Sequence, residues 1–297
     1  MYRTLNSYLQ ETFGGKVYKL ALSTGCTCPN RDGTIGTRGC IFCTGSGEFA
    51  QSPSLSVSDQ IENAKMLVSD KARCVGYIAY FQDFTNTYAP AERLRPLFLE
   101  AAAHEDIVAV SIATRPDCLP PEILSLLSEL RAVKPVWVEL GLQTVHEKTA
   151  AYLRRGYELP VFEAAVRALQ AENIDVIAHM ILGLPGETPD MTVETARYLG
   201  RLGVQGVKLH LLHVLQGTDL AADYAAGSFR TLEMEEYFDL LARCLRVLPK
   251  DVVIHRLTGD GAKRDLIAPV WSADKKRVLN AMQRYFASIG LEQGSDL

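Results

Sequence analysis

Hydrophobic and polar positions follow two recurring patterns along this chain. Short runs rich in β-branched residues are typical of buried strands, and longer segments between them carry apolar residues at helical spacing. Ile61, Ala64 and Leu67, for example, share one face of a predicted helix. The short runs predict six strands: Val17–Leu22, Val75–Phe81, Ile107–Ala113, Val136–Leu142, Asp175–Leu182 and Gly206–Leu212.

Helices are predicted between and after these strands. Strands that alternate with helices are typical of βα units around a parallel sheet. Six units are fewer than the eight of a closed barrel, so we predict an α/β fold, a partial (β/α)6 TIM-like barrel. The predicted helices lie near 57–69, 91–103, 121–131, 145–154 with 160–171, 189–202 and 232–247.

The chain shows no Ser/Gly-rich linker that would divide it into separate domains. We predict an N-terminal helix over 1–14, the barrel over 15–249 and a C-terminal extension over 250–297. The extension holds a predicted strand (Val252–Leu257) and helix (Ala273–Ser288). We expect it to cap the barrel or contact the substrate.

Composition places the chain among globular proteins, with 47% hydrophobic and 22% charged residues. Its most apolar run, Asp175–Pro185, is far shorter than the roughly 20 residues of a membrane span. The first residues lack the apolar core of a secretory signal, so we expect a soluble cytoplasmic protein without membrane contact. The net charge of −4 gives no overall attraction to nucleic acid. Residues 250–284 are locally basic, with eight Lys and Arg against four Asp and Glu, which suits either a solvated helix face or contact with a polyanion.

Cysteine placement is the strongest chemical signal. Four of the seven cysteines, Cys26, Cys28, Cys40 and Cys43, fall within 18 residues of a Gly-rich polar loop. Such a loop lets backbone approach a bulky ligand closely and places thiolates around a metal. The loop alone leaves two groups open: a zinc ion on four thiolates, or a [4Fe–4S] cluster on Cys28, Cys40 and Cys43 with one iron open.

The ends of the predicted strands carry polar or Gly-rich residues along the whole sheet. In parallel barrels, functional side chains gather at the carboxyl ends of the strands. These ends read Tyr80-Phe-Gln-Asp-Phe-Thr-Asn-Thr87, Ala113-Thr-Arg-Pro-Asp117, Glu139-Leu-Gly-Leu-Gln-Thr144, His179-Met-Ile-Leu-Gly-Leu-Pro-Gly-Glu187 and Lys208-Leu-His-Leu-Leu-His213.

From about Leu5 to Met282 the chain resembles radical SAM enzymes of the YhcC/YtqA type, which are related to the radical SAM domain of the Elongator catalytic subunit. The resemblance rests on the strand-end motifs in their order, on Cys28-Pro-Asn-Arg-Asp-Gly…Gly39-Cys40-x-x-Cys43 and on His255-Arg-Leu-Thr-Gly-Asp260. Eleven residues separate the first two cysteines of the motif, as in this family. Cys26 departs from the family pattern, so the resemblance does not include it among the ligands.

The resemblance implies two cofactors, a [4Fe–4S] cluster on Cys28, Cys40 and Cys43, and S-adenosylmethionine on its open iron. One electron from the cluster then cleaves S-adenosylmethionine to methionine and a 5′-deoxyadenosyl radical, which takes hydrogen from the substrate. A flavodoxin- or ferredoxin-like protein is the expected electron donor.

Residue roles are carried over from the same resemblance. Segment 82–86, with Gln82, Thr85 and Asn86, is expected to bind the methionine amino group, and Arg155 the methionine carboxylate. Glu139 and Gln143 are expected at the ribose and sulfonium, Arg115 among the cofactor ligands, and Gly183 to Glu187 beside the adenine. The expected catalytic residues, facing the substrate, are Lys208, His210, His255 and Asp260.

The related proteins suggest a tRNA wobble uridine as substrate, whose carboxymethylaminomethyl group would become aminomethyl. The basic C-terminal segment agrees with a tRNA partner, and the net charge of −4 disagrees. Two alternatives remain open: a radical SAM enzyme for a small molecule, and a non-catalytic zinc module.

Overall fold

A computed structural model describes residues 1–45, 50–68, 73–259 and 263–297. Within these ranges strands alternate with helices as the apolar pattern predicts, and all six predicted barrel strands form. The strands are β1 (Val17–Leu22), β2 (Gly76–Phe81), β3 (Ile107–Thr114), β4 (Val136–Gln143), β5 (Asp175–Leu182), β6 (Gly206–Leu211), β7 (Val214–Leu215), β8 (Val253–Arg256) and β9 (Leu266–Ala268).

The helices also follow the pattern, apart from one short helix, α8, that was not predicted because its apolar stripe is brief. They are α1 (Leu5–Phe13), α2 (Val57–Met66), α3 (Ala91–Ala103), α4 (Pro121–Val133), α5 (Glu147–Tyr152), α6 (Leu159–Ala171), α7 (Pro189–Leu202), α8 (Asp219–Ala225), α9 (Met234–Arg246) and α10 (Lys275–Ser288). In the described part of the chain, we find no helix whose length and apolarity would suit a membrane span.

Seven parallel strands form the main sheet, in the order β1-β2-β3-β4-β5-β6-β8. The fold is therefore the predicted partial barrel with one strand added, because the predicted C-terminal strand pairs in parallel with β6. The far edge of this added strand is partly covered by the N-terminus, where the Ile254 amide donates to the Arg3 carbonyl across 2.8 Å. A short antiparallel pair, β7 with β9, lies outside the main sheet.

Alternation along each strand separates an outer face, which packs against the helices, from an inner face. The inner face begins with an apolar layer in which five strands each contribute one residue: Val17, Ile78, Ala109, Trp137 and Ile177. Two residues further along each strand, the inner side chains are polar. We call this second set the polar layer: Lys19, Tyr80, Ser111, Glu139, His179 and Lys208.

Local sequence explains the turn from β5 into α7. Gly183 and Gly186 have φ of 83° and 82°, values that favour glycine, so the Gly-Leu-Pro-Gly turn follows from its residues. Thr188 caps α7 by accepting a hydrogen bond from the Met191 amide, and Pro189 occupies the first turn. The helix ends at Gly203 in the left-handed conformation.

Candidate active site

Three cysteines of the loop after β1 border one cavity at the carboxyl ends of the strands. The cavity has a volume of about 260 Å³, and Cys28, Cys40 and Cys43 all line it. All three are free thiols. Since the active sites of parallel barrels lie at this end of the sheet, this space, which we call the cysteine cavity, is the candidate active site.

Asn30 and Arg31 hold the loop in place. The Asn30 side-chain nitrogen donates to the Arg154 carbonyl across 2.7 Å and lies 3.5 Å from Cys40 Sγ. The Arg31 guanidinium donates to the Cys43 carbonyl across 2.6 Å. These bonds fold the loop so that its thiols face one space.

The arrangement of the loop cysteines bears on the two metal groups that the sequence left open. In a tetrahedral zinc site the thiolates lie roughly 3.8 Å apart, because each Zn–S bond is about 2.3 Å. Among the described residues, the one set of three or more His, Cys, Asp or Glu ligand atoms within 4.8 Å of one another is that of Glu62, His104 and Asp106. The loop cysteines do not form such a set among the described residues, and Cys26 is buried in the main core. Three thiols around one cavity fit a cluster with an open iron.

Burial and the neighbouring Cys43 raise the pKa of Cys40 to about 11. Without a metal this side chain is therefore a neutral thiol near pH 7. Iron binding must displace its proton, as it does at other thiolate sites.

Glu139 is the centre of the polar layer and lies beneath the cysteine cavity. Its Oε1 accepts from Lys19 Nζ across 2.6 Å and from Ser111 Oγ across 2.9 Å. Its Oε2 accepts from His179 Nε2 across 2.8 Å and from Lys208 Nζ. A carboxylate has about four acceptor sites, so all those of Glu139 are occupied.

The two lysines keep Glu139 ionised in this buried position. Burial alone would raise the pKa of Glu139, but Lys19 and Lys208 outweigh burial and hold that pKa well below its usual value. Burial also lowers the pKa of Lys208. Burial and the Lys208 ammonium lower the pKa of His179 to about 4, so this imidazole is neutral near pH 7.

A second cavity adjoins the first. It also has a volume of about 260 Å³ and is lined by His179, His210 and His213. We call it the histidine cavity. Its shared wall with the cysteine cavity is formed by Phe42, Gln143 and His179.

Gln143 has φ of 66°, a left-handed value unusual for a residue with a side chain. It lies where the pairing of β4 with β5 shifts register, after Gly141. Added bulk at Gly141 would meet Gln143 Nε2 at 2.7 Å. Strain of this kind persists where surrounding structure enforces it, and it clusters at functional sites.

The structure brings most predicted cofactor residues to the cysteine cavity, which Gln82, Thr85, Arg115, Glu139, Gln143 and Arg155 all line. Thr85 Oγ1 is buried there without a hydrogen-bond partner among the described residues. Arg115 donates two hydrogen bonds to Asp117, at 2.9 and 2.7 Å, and one to the Arg155 carbonyl.

Arg155 lines the cysteine cavity and is held by bonds within the protein. Its guanidinium donates to the carbonyls of Leu142, Thr144 and Tyr157. Its third nitrogen, Nη2, lies 3.1 and 3.2 Å from the two oxygens of the Glu147 carboxylate. All three guanidinium nitrogens therefore have partners within the protein, and the expected contact of Arg155 with a methionine carboxylate stays a prediction.

Asn86 requires a correction. The Asn86 side chain accepts from Thr24 Oγ1 across 2.9 Å and donates to the carbonyls of Asp83 and Ala113. It joins three strand ends and does not line the cavity. Glu139 borders the cavity, and four protein donors contact its oxygens; its expected contact with the ribose stays a prediction.

The turn at Gly183 to Glu187 does not line either cavity. Burial raises the pKa of Glu187, and its carboxylate accepts from Thr144 Oγ1 across 2.5 Å. This bond joins the ends of β4 and β5. The expected place of the turn from Gly183 to Glu187 beside the adenine stays a prediction.

The four predicted catalytic residues are dispersed. His210 lines the histidine cavity, with Nε2 buried and without a partner in the described chain. Lys208 lies in the polar layer below and lines neither cavity. His255 is a correction, because it lines a separate cavity with Trp137 and Asp175 at the amino ends of the strands. Asp260 lies outside the described residues.

Sequence reasoning missed Asn30 and most of the polar layer. Lys19 within the apolar run of β1 carried a usable signal, since a lysine among buried positions requires a partner. Tyr80 and Ser111 carried none, because both are ordinary strand residues. His179 was named only as part of a motif.

Comparison with known proteins agrees with this geometry. Residues 30–199 match the radical SAM superfamily, and residues 204–288 match the radical SAM C-terminal domain. Protein YtqA of Bacillus subtilis is 44% identical over 295 residues, which cover 99% of this chain and 92% of YtqA. A tRNA uridine(34) acetyltransferase of Methanocaldococcus jannaschii is 26% identical over 164 residues, 54% of this chain and 30% of that protein.

The solved structure of Elp3 from the archaeon Methanocaldococcus infernus superimposes with a TM-score of 0.70 at 19% identity. The match covers 93% of this chain and 64% of Elp3, and it shows a shared fold. The chain therefore belongs to the radical SAM superfamily, whose enzymes use a [4Fe–4S] cluster and S-adenosylmethionine.

Proposed function

We propose that this radical SAM enzyme modifies a tRNA wobble uridine, converting a carboxymethylaminomethyl side chain to aminomethyl. The observation that carries the proposal is the pair of adjoining cavities, one bordered by three thiols and the other by histidines and apolar residues. The first suits the cluster and its cofactor, and the second leaves room for a base beside them. The similarity to a tRNA uridine(34) acetyltransferase supports uridine as the base.

Cys28, Cys40 and Cys43 would hold the cluster, which when bound supplies the electron that generates the 5′-deoxyadenosyl radical. The residues of this chain then position the reactants. The Thr85 hydroxyl, which has no hydrogen-bond partner among the described residues, and the amide of Gln143 offer polar contacts to the cofactor. The polar layer closes the barrel below and keeps bulk water from the reacting atoms.

The proposed reaction balances with one water molecule. The carbon between amine and carboxylate loses two electrons and is released with its carboxylate as glyoxylate, while the nitrogen stays on the uridine as an amine. The two electrons leave in methionine and 5′-deoxyadenosine. The external donor supplies the first electron, and one electron is returned when the substrate is fully oxidised. The reaction therefore consumes no electron overall.

A tRNA partner and a flavodoxin- or ferredoxin-like electron donor complete the proposal. Lys275, Lys276 and Arg277 lie exposed at the start of α10 and offer contacts to phosphate. Binding through such contacts weakens steeply as salt rises. Affinity for bulk tRNA that is independent of salt would contradict this part of the proposal.

Anaerobic reconstitution with iron and sulfide, followed by S-adenosylmethionine and dithionite, tests the radical chemistry. We expect 5′-deoxyadenosine from the wild type, none from Cys40→Ala, and full yield from Cys26→Ala as the matched control. Addition of tRNA that carries the candidate uridine should then give aminomethyluridine and glyoxylate. Cofactor cleavage without change of any tRNA would instead favour a small-molecule substrate.

A further inference from the structure

His179 lies at the point where the two cavities meet. It lines both the cysteine cavity and the histidine cavity. Phe42 and Gln143 share this position, but His179 alone of the three is anchored in the polar layer. A ligand that extends from one cavity into the other must pass its ring.

The polar layer fixes which ring nitrogen of His179 carries the proton. Its Nε2 lies 2.8 Å from Glu139 Oε2. An ionised carboxylate only accepts hydrogen bonds, so Nε2 must be the protonated nitrogen. Lys19, Lys208 and Ser111 hold Glu139 by donating to its other acceptor sites.

The second nitrogen is consequently a bare acceptor. Nδ1 of His179 makes no hydrogen bond within the described residues. Burial and the Lys208 ammonium lower the pKa of this imidazole to about 4, so near pH 7 Nδ1 stays unprotonated. The His210 ring, 5.2 Å away between centroids and tilted by 55°, does not donate to it.

We infer that His179 is a substrate-binding residue whose Nδ1 accepts a hydrogen bond from an N–H group next to the carbon that loses hydrogen. The substrate class is therefore a compound with a secondary amine or amide at the reacting position. This inference rests on the proposed function, in which the carboxymethylaminomethyl group carries such an N–H. Glu139, Lys19 and Lys208 are positioning residues, because they act on the substrate through the tautomer of His179.

The first test is spectroscopic and needs no turnover. The chain has six histidines, so ¹⁵N-histidine labelling of the holoenzyme with an oxidised cluster gives few signals. The His179 signals are assigned by their loss in His179→Gln. We expect a protonated Nε2 and a bare Nδ1 in the wild type. A protonated Nδ1 overturns the inference.

The second test measures whether the N–H is recognised. Two anticodon stem-loop RNAs are compared, one with 5-carboxymethylaminomethyluridine and one in which oxygen replaces the N–H. Binding is measured on the holoenzyme with S-adenosylmethionine and without reductant. A hydrogen bond of ordinary strength predicts about tenfold tighter binding of the amine in the wild type.

Three variants separate recognition from folding. His179→Leu should reduce the preference for the amine to about one. His179→Gln keeps a donor toward Glu139 and an acceptor beyond it, so it should restore most of the preference. His104 lies before β3, at the opposite end of the strands. His104→Leu is therefore the matched control and should leave the preference for the amine unchanged.

The outcomes also separate this inference from the proposed function. Equal wild-type affinity for both RNAs overturns the inference and leaves the proposed function standing. If neither RNA binds, the proposed function fails, and the substrate class inferred for His179 fails with it.

Discussion

The side-chain nitrogen of Asn30 lies 3.5 Å from the Sγ of Cys40. The same nitrogen donates to the Arg154 carbonyl, so its position is fixed by the chain that follows α5. Hydrogen bonds to the sulfurs of an iron–sulfur cluster help to set its reduction potential, because they stabilise the more negative, reduced state.

Asn30→Leu should therefore lower the reduction potential of the reconstituted cluster. A hydrogen bond of ordinary strength corresponds to a fall of about 50 mV for one electron. The reduction potential is measured by redox titration followed by electron paramagnetic resonance. Asn280→Leu, on the exposed face of α10, is the control. An unchanged potential in Asn30→Leu would show that this contact does not act on the cluster.

Thr85 and Thr87 form a matched pair in the loop after β2. Thr85 Oγ1 is buried without a partner in the described chain, whereas Thr87 Oγ1 lies 2.5 Å from Thr114 Oγ1 and donates to the Cys118 carbonyl. Thr85→Val should lower the affinity for S-adenosylmethionine about tenfold and leave the stability of the cofactor-free protein unchanged. Thr87→Val should instead lower the free energy of unfolding by about 1–3 kcal/mol. Calorimetric binding and urea unfolding measure the two effects, and a stability loss in Thr85→Val would contradict the assignment.

Arg155 is predicted to act on stability. Its three guanidinium nitrogens all donate within the protein, so Arg155→Lys leaves buried carbonyls and Glu147 short of partners. We expect the free energy of unfolding to fall by about 3 kcal/mol. The ion pair between Arg154 and Asp219 is partly exposed. Arg154→Lys should therefore lower the free energy of unfolding by less than about 1 kcal/mol. Weaker cofactor binding by Arg155→Lys at unchanged stability would restore this residue as a ligand of the methionine carboxylate.

Stability should fall as the pH is lowered from 6.5 toward 4. Burial and Lys208 lower the pKa of His179 from 6.5 to about 4, so in this window the unfolded chain takes up a proton that the folded chain does not. The contribution is fully present above pH 6.5 and amounts to at most about 3 kcal/mol. His210 and His255, whose pKa values burial also lowers, act in the same direction.

Urea unfolding across this pH range measures the loss. His179→Gln should show a shallower decline than the wild type, because one of the titrating groups has been removed. Equal slopes for the two proteins would mean that the folded state protonates His179 as readily as the unfolded chain does.

The order of strands and helices can be predicted from local patterns in the chain, since periodicity of two or of about 3.6 is a local property. It also located the three cysteines and the polar rim, because parallel βα units place every strand end on one side. The Gly-Leu-Pro-Gly turn and the cap of α7 likewise follow from adjacent residues.

Which partners these polar groups have depends on the three-dimensional packing of the strands. Arg155, Asn86 and Glu139 are bonded to partners up to 120 residues distant, as Lys19 is from Glu139, and no local pattern records such pairings. His255 shares a motif with residues expected at the barrel mouth, but the register of β8 places it at the other end of the strands. Alternation fixes the face on which a side chain lies, whereas its depth in the barrel and its hydrogen-bond partners depend on how separate strands are aligned.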